Sequence, residues 1–313
     1  MLDYKVLIAD GLEENGQAIL RSSVNLDNQT GISPDALLEI IKEYDALLVR
    51  SRTKVTKQAF EAAQKLKVVG RAGVGVDNID LDAAGAHGVT VVNAPVSTSL
   101  AVAELTLGLM LALAREIPRA DAGMKQGDWL KKQLAGTELH DKTLGVIGMG
   151  RIGAEVAMRA ATFGMTVLGY DPLIPSEEIA HRGAEPIDLD DLYTHSNYIS
   201  LHLPFTDETR SMIDEHAFTR MKRGVRIVCA ARGGIINEAA LLEALESGQV
   251  AGAALDVFTN EPPGASELVK HPKVIATPHV GAQTAEAQLR ASEDIANEVL
   301  AALNGRPLRW KIV

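Results

Sequence analysis

Thr143-Leu144-Gly145-Val146-Ile147-Gly148-Met149-Gly150-Arg151-Ile152-Gly153 decides how this chain is read. A short apolar, strand-like run enters Gly148-x-Gly150-x-x-Gly153, and a helical pattern leaves it. Ile152, Val156, Ala160 and Phe163 follow at spacings of four and three, one stripe at helical period. In such a setting the first glycine makes a tight turn and the second lets backbone approach a diphosphate. The third lets the helix pack closely on the strand, and the helix N-terminus offers N–H groups and a positive dipole end. A bare glycine pattern is a weak signal, but strand before and helix after make this one specific. Gly148, Gly150 and Gly153 are therefore candidate contacts of a dinucleotide.

Working outward, Thr166–Tyr170 reads as the next strand and Asp171 stands at its end. This is the place of the acid that accepts hydrogen bonds from an adenosine ribose. A carboxylate there repels a 2′-phosphate, and Pro172 follows where an arginine would welcome one. The expected cofactor is NAD rather than NADP.

At 313 residues the chain is long enough for about two domains. Against 31 Lys and Arg stand 41 Asp and Glu, a net charge of −10, so a nucleic-acid backbone is an unfavourable partner. A single cysteine excludes an internal disulfide and fits a reducing, cytoplasmic setting. The first residues lack a basic stretch followed by a long apolar core, so no signal peptide is expected. The longest apolar run, Leu105–Ala114, is too short for a membrane span, and no membrane partner is expected.

Before the glycine-rich stretch, Lys5–Ala9, Ala46–Val49, Val68–Arg71 and Val89–Asn93 read as strands. Ala36–Lys42 reads as a helix behind a Ser33-Pro34-Asp35 cap. Ser97-Thr98-Ser99 is expected to cap an apolar helix, Leu100–Ala114. Its lone charge, Glu104, suits burial in a domain or at a subunit interface. Beyond Asp171, Tyr198–Leu203, Arg226–Ala230, Ala251–Asp256 and Val274–Thr277 read as strands, with Glu238–Ser247 and Ala285–Leu303 as helices. Alternating strand and helix predicts parallel sheets covered by helices. Ligands of such sheets gather at the carboxyl ends of strands. The last helix is long enough to return to the first domain.

Three side chains in the loops of the central block carry the right chemistry for oxidising a hydroxy acid. Arg232 offers two-point recognition of a carboxylate, and His279 suits proton transfer near neutral pH. A carboxylate such as Glu261 can fix an imidazole tautomer. Spacing alone leaves open whether they meet, and each also has a plain reading as a surface cation, turn acid or loop histidine. Asp256 can be a strand-end structural acid, His202 a packing residue, and Cys229 a buried thiol.

Seven segments together carry a resemblance over nearly the whole length. They are Val49–Thr53, Val69–Asn78, Gly136–Leu139, Leu144–Gly153, Ala231–Ile235, Ala253–Phe258 and Thr277–Ala282. The chain resembles the D-isomer-specific 2-hydroxyacid dehydrogenases. The resemblance implies two Rossmann-like or flavodoxin-like parallel-sheet domains with a cleft between them. Residues 1–95 with 286–313 would bind substrate and residues 96–285 would bind NAD. It places the catalytic arginine, glutamate and histidine on Arg232, Glu261 and His279. Coenzyme contacts fall on Val74, Arg151, Ile152, Asp171, Leu203, Ala230, Ala231, Arg232, Asp256, His279, Val280, Gly281 and Ala282, with no metal.

The implied reaction is oxidation of 3-phospho-D-glycerate to 3-phosphohydroxypyruvate, with the substrate phosphate and its neighbours held by Arg50, Ser51, Arg52, Gly75 and Lys131. Lys131 would come from the second subunit of a homodimer. Thr98 stands where the family often has an asparagine, and the carboxy-terminal regulatory modules of longer relatives are not expected. A glyoxylate or hydroxypyruvate reductase of the same fold, and an NAD(H)-sensing corepressor-like protein, remain open as alternatives.

Overall fold

Alternate side chains of a strand face opposite ways, so a strand buried at every position needs cover on both sides. The computed structural model, which describes residues 4–313, has such strands in both of the units into which the chain divides. The first unit comprises the chain up to Thr98 together with Ala282–Val313, and the second is Ser99–Gly281. The second crossing precedes the terminal helix, whereas the boundary expected after residue 285 falls inside that helix.

The first unit carries β1 (Lys5–Ile8), α1 (Glu14–Arg21), β2 (Asn25–Asn28), α2 (Pro34–Ile40) and β3 (Ala46–Val49). It continues with α3 (Lys57–Ala62), β4 (Val68–Arg71), α4 (Leu81–Ala86) and β5 (Thr90–Asn93). The five strands are parallel in the order β2-β1-β3-β4-β5. Register aligns Leu7, Leu47, Val69 and Val91 in one row, which packs with Ile41 and Phe60. The opposite row, Val6, Ala46 and Val68, packs with Ile295, Ala296 and Val299 of the terminal helix, Ala285–Leu303. Burying each such side chain fully contributes about 1.5–3 kcal/mol. The terminal helix lies against α1 so closely that a Cβ on Gly16 would sit 2.5 Å from the Ser292 carbonyl oxygen.

Several sequence expectations shift locally. Ser33 does cap α2, accepting from the Ala36 N–H at 3.3 Å, but α2 starts at Pro34 and ends at Ile40. A 3-10 turn, Ile41–Glu43, then swings Ile41 into the core. The Ser97 hydroxyl also donates to Asp294 of the terminal helix at 2.6 Å.

The second unit begins with α5 (Ser99–Arg115) and α6 (Ile117–Gln126). It then alternates β6 (Thr143–Ile147), α7 (Arg151–Thr162), β7 (Thr166–Tyr170), α8 (Ser176–His181), β8 (Glu185–Pro186), α9 (Leu189–His195) and β9 (Tyr198–Leu201). It closes with α10 (Glu215–Arg220), β10 (Val225–Cys229), α11 (Glu238–Glu246), β11 (Val250–Leu255), α12 (Glu267–Lys270) and β12 (Val274–Ala276). The strand order is β12-β11-β10-β9-β6-β7-β8, all parallel. The chain winds outward from β6 in both directions, so order reverses between β6 and β9. A crevice for ligand opens at such a switch point.

Two expectations change here. Phe163 is 40% exposed, because α7 ends at Thr162 and Phe163 only caps it, so the apolar stripe closes at Ala160. Helix α5 is not buried all round. Leu107, Met110 and Leu113 enter the core beside α7, whereas Leu100, Glu104 and Gly108 are exposed. No helix among the described residues is long and apolar enough to cross a membrane.

Candidate active site

Gly148 leaves β6 at φ +92°, a conformation that an L side chain rarely adopts. A Cβ there would also lie 2.6 Å from the carbonyl oxygen of His202, at the end of neighbouring β9. A Cβ on Gly153 would lie 2.0 Å from the Gly148 carbonyl oxygen, so only glycine lets α7 approach the turn. Gly150 caps α7 without a side chain, and no side-chain oxygen takes the first N–H groups of Arg151 and Ile152. The helix end therefore keeps its donors and positive dipole end for a phosphate. Asp171, just past β7, is drawn to the same turn. One carboxylate oxygen accepts from the Met149 N–H and the other from the Leu173 N–H, both at 2.9 Å. Leu203 stands beside Gly148. These residues fit a dinucleotide.

Arg232, Glu261 and His279 follow β10, β11 and β12, three neighbouring parallel strands, so their loops emerge at one end of one sheet. The His279 Nδ1 lies 2.7 Å from Glu261 Oε2. A carboxylate accepts, so in the neutral imidazole the proton sits on Nδ1 and the lone pair on Nε2. The other Glu261 oxygen accepts from the Phe258 N–H at 3.1 Å. Arg232 is half-buried, with one terminal nitrogen donating to the Ala231 carbonyl at 2.7 Å. Its neighbour Gly233 brings the loops together, since a Cβ there would lie 1.9 Å from the Phe258 carbonyl oxygen. Ala230 and Ala231 are buried at the base of this loop.

His279 holds φ +52°, a left-handed conformation that costs a non-glycine residue about 1–3 kcal/mol. Asp256, 1% exposed, over-determines it. Its Oδ1 accepts from Thr277 Oγ1 at 2.6 Å and from the Val280 N–H at 2.9 Å, and its Oδ2 from the Gly281 N–H at 2.8 Å. The His279 N–H donates to the Asp256 carbonyl at 2.9 Å. The Asp256 carboxylate and the N–H groups of Val280 and Gly281 are consumed in holding the histidine loop. Ala282 belongs to the first unit, where its carbonyl accepts from Gln288.

In the first unit, the turns after β3 and β4 form one cluster. The Asn78 amide donates to the carbonyls of Arg50 and Thr53 at 2.8 and 2.6 Å. Asn93 donates to the Val74 carbonyl at 2.7 Å, and Gly75 follows on the same partly exposed turn. Asp10, at the end of β1, accepts from the backbone N–H of Arg50 and Thr53 and from Arg52 Nε. Arg52 also donates to the carbonyls of Ala9 and Ile32. Its guanidinium thus braces the turn while its side chain stays half exposed. Arg50 is less committed, with one contact to Glu13 at 3.4 Å and a buried Nε that lacks a partner. Ser51 is exposed beside them, Thr98 is buried, and Lys131 is exposed on the segment after α6.

Two buried groups complete the inventory. His202 meets Ser200 Oγ at 2.7 Å through Nε2, while its buried Nδ1 lacks a partner. Burial pushes this imidazole down to about 4. Burial pushes the Cys229 thiol up to about 11, which removes thiolate chemistry near neutral pH. The anchoring role of Asp10 was not foreseen, whereas a structural strand-end role was one of the two readings of Asp256. Their one signal in the sequence is an acid at the carboxyl end of a buried strand.

Fold and site together define a two-unit α/β protein with a dinucleotide turn and an Arg, Glu and His constellation on adjacent strand ends. The sequence profile described as "D-isomer specific 2-hydroxyacid dehydrogenase, NAD binding domain" matches residues 107–281. The chain belongs to this family. It is 49% identical over 302 residues to a D-3-phosphoglycerate dehydrogenase of Methanocaldococcus jannaschii, covering 96% of this chain and 58% of that protein. A Bacillus subtilis protein of the same name is 46% identical, covering 97% and 58%. The chain thus spans under three-fifths of the length of these relatives. Among solved structures, a glyoxylate reductase from Paecilomyes thermophila superposes with a TM-score of 0.92 at 31% identity, covering 100% of this chain and 99% of that one. A D-lactate dehydrogenase from Aquifex aeolicus, complexed with NAD and lactic acid, gives 0.84 at 31% identity, covering 96% of each chain.

Proposed function

We propose that this chain oxidises 3-phospho-D-glycerate at C2 to 3-phosphohydroxypyruvate with NAD, the first step toward L-serine. The single observation that carries the reading is the 2.7 Å pair of His279 and Glu261, one strand-end loop away from Arg232. The name shared by the relatives at 46–49% identity supports the choice of substrate. Gly148, Gly150, Gly153, the N-terminus of α7 and Asp171 would hold NAD, which accepts a hydride and its electron pair at the nicotinamide. Arg232 would clamp the substrate carboxylate, and His279 Nε2 would take the C2 hydroxyl proton as the carbonyl forms. Glu261 keeps the proton on Nδ1 and stabilises the imidazolium that results.

Recognition of the substrate phosphate falls to Arg50 rather than Arg52, because Arg52 pairs with Asp10. Exposed Leu100, Ile117, Met124 and Trp129 on and near α5 and α6 support a homodimer, and the single cysteine fits a cytoplasmic enzyme. Light scattering on the purified protein reads the assembly directly.

Steady-state oxidation of 3-phosphoglycerate, glycerate and lactate, each with NAD and NADP, tests the reading. Turnover should favour 3-phosphoglycerate with NAD, and Arg50→Ala should raise KM for that substrate alone. Activity restricted to unphosphorylated acids would assign the reductase alternative. Binding of NADH without turnover of any 2-hydroxy acid would assign a sensor.

A further inference from the structure

We infer that Glu238 is a positioning residue, which sets the Glu261–His279 pair by holding the backbone of the loop that carries Glu261. The inference rests on the proposed dehydrogenase reading. Glu238 is the first residue of α11 and would ordinarily be explained as an acid at a helix N-terminus. That explanation is incomplete. Asn237 already caps the helix, its side chain accepting from the N–H groups of Ala239 and Ala240 at 3.1 Å each. The Glu238 carboxylate leaves the helix instead, and Oε1 accepts from the Thr259 N–H at 2.6 Å.

One peptide earlier, the Phe258 N–H donates to Glu261 Oε1, and Glu261 Oε2 meets His279 Nδ1. Two adjacent backbone N–H groups are thus held by two carboxylates, one structural and one facing the histidine. Gly233 presses on the same peptides, since its Cβ would lie 1.9 Å from the Phe258 carbonyl oxygen and 2.6 Å from the Thr259 nitrogen. The segment Arg232–Glu238 therefore grips the loop at two points while carrying Arg232 itself. That grip couples the position of the carboxylate clamp to the position of the imidazole. Thr259 is exposed, so water can replace the lost contact, and Glu238 matters to geometry more than to folding.

Three substitutions separate positioning from helix-end electrostatics. Glu238→Gln keeps the reach and the acceptor oxygen but loses the charge. Glu238→Asp keeps the charge but shortens the reach. Positioning predicts that Glu238→Ala and Glu238→Asp lower kcat by about one to two orders of magnitude. KM for NAD should stay within about twofold, and Glu238→Gln should recover most of the rate, because the dinucleotide turn is untouched. In a Glu261→Gln background, Glu238→Ala should cost little more.

With 15N-labelled histidine, the low-field proton of the His279–Glu261 hydrogen bond should be lost or broadened in Glu238→Asp and retained in Glu238→Gln. This measurement reads the pair whether or not any 2-hydroxy acid is turned over. A failed dehydrogenase reading is thereby distinguished from a failed positioning role. Wild-type kcat in Glu238→Asp, full additivity with Glu261→Gln, or an unchanged proton resonance would overturn the inference.

Discussion

His279 combines a left-handed backbone with a directed imidazole, and the first follows from the demands of the second. Its replacement by Gln keeps the side-chain bulk and removes the base. The expected outcome is a loss of kcat by about 10²–10⁴-fold with NADH affinity retained. Fluorescence titration with NADH checks the second half, and equal losses of binding and turnover would indicate a damaged fold instead. His202 makes a different prediction. Held near 4 in the fold against 6.5 when unfolded, it is neutral in the native state. Between these values the unfolded chain binds a proton that the folded chain refuses. Stability is therefore present above pH 6.5 and is lost as pH falls toward 4, by about 3 kcal/mol at most. Urea unfolding at pH 7 and pH 5 should show a shallower loss in His202→Gln than in the wild type.

At the level of elements, the strand ends matter more than the strands. Asp256 and Asp10 each close a turn with a buried or nearly buried carboxylate, and each turn carries a proposed substrate or catalytic residue. Removing the Asp256 carboxylate would strand two backbone N–H groups and a threonine hydroxyl, costing about 3 kcal/mol or more. Asp256→Ala should therefore lower the urea midpoint and release His279 from its left-handed conformation. Retention of full turnover in a destabilised Asp256→Ala protein would show that the histidine loop holds itself. Apart from short β2 and β8, the strands of both sheets were legible as apolar-rich runs, mostly buried except in edge strand β12. Those two edge strands, Asn25–Asn28 and Glu185–Pro186, escaped notice because they are short and polar, unlike the apolar edge strands β5 and β12. The helices α3, α4, α8, α10 and α12, of four to six residues, are too short to repeat an apolar stripe twice.

For the molecule as a whole, ligand binding and stability are linked. NADH bound only to the folded state should stabilise it by about 2.7 kcal/mol at a concentration one hundred times its Kd. NADPH should do so far less, since Asp171, the proposed ribose-binding acid, would repel a 2′-phosphate. Thermal melts with each coenzyme check this, and equal shifts would remove Asp171 from coenzyme selection.

The parallel α/β architecture, the dinucleotide turn and the membership in a dehydrogenase family were all readable before any coordinates. They depend on local periodicity and on glycines whose backbone demands are local. Which of the candidate side chains touch was not readable, because Glu261 and His279 lie in separate loops and meet only when β11 and β12 align, next to the strand that leads to Arg232. The same holds for the division of labour between Arg50 and Arg52. Both look like phosphate ligands in the sequence, and only the structure shows that Asp10 pairs with the Arg52 side chain. Apolar periodicity builds the sheets, but hydrogen-bond partners at strand ends are chosen by three-dimensional neighbours, and those the tertiary structure alone decides.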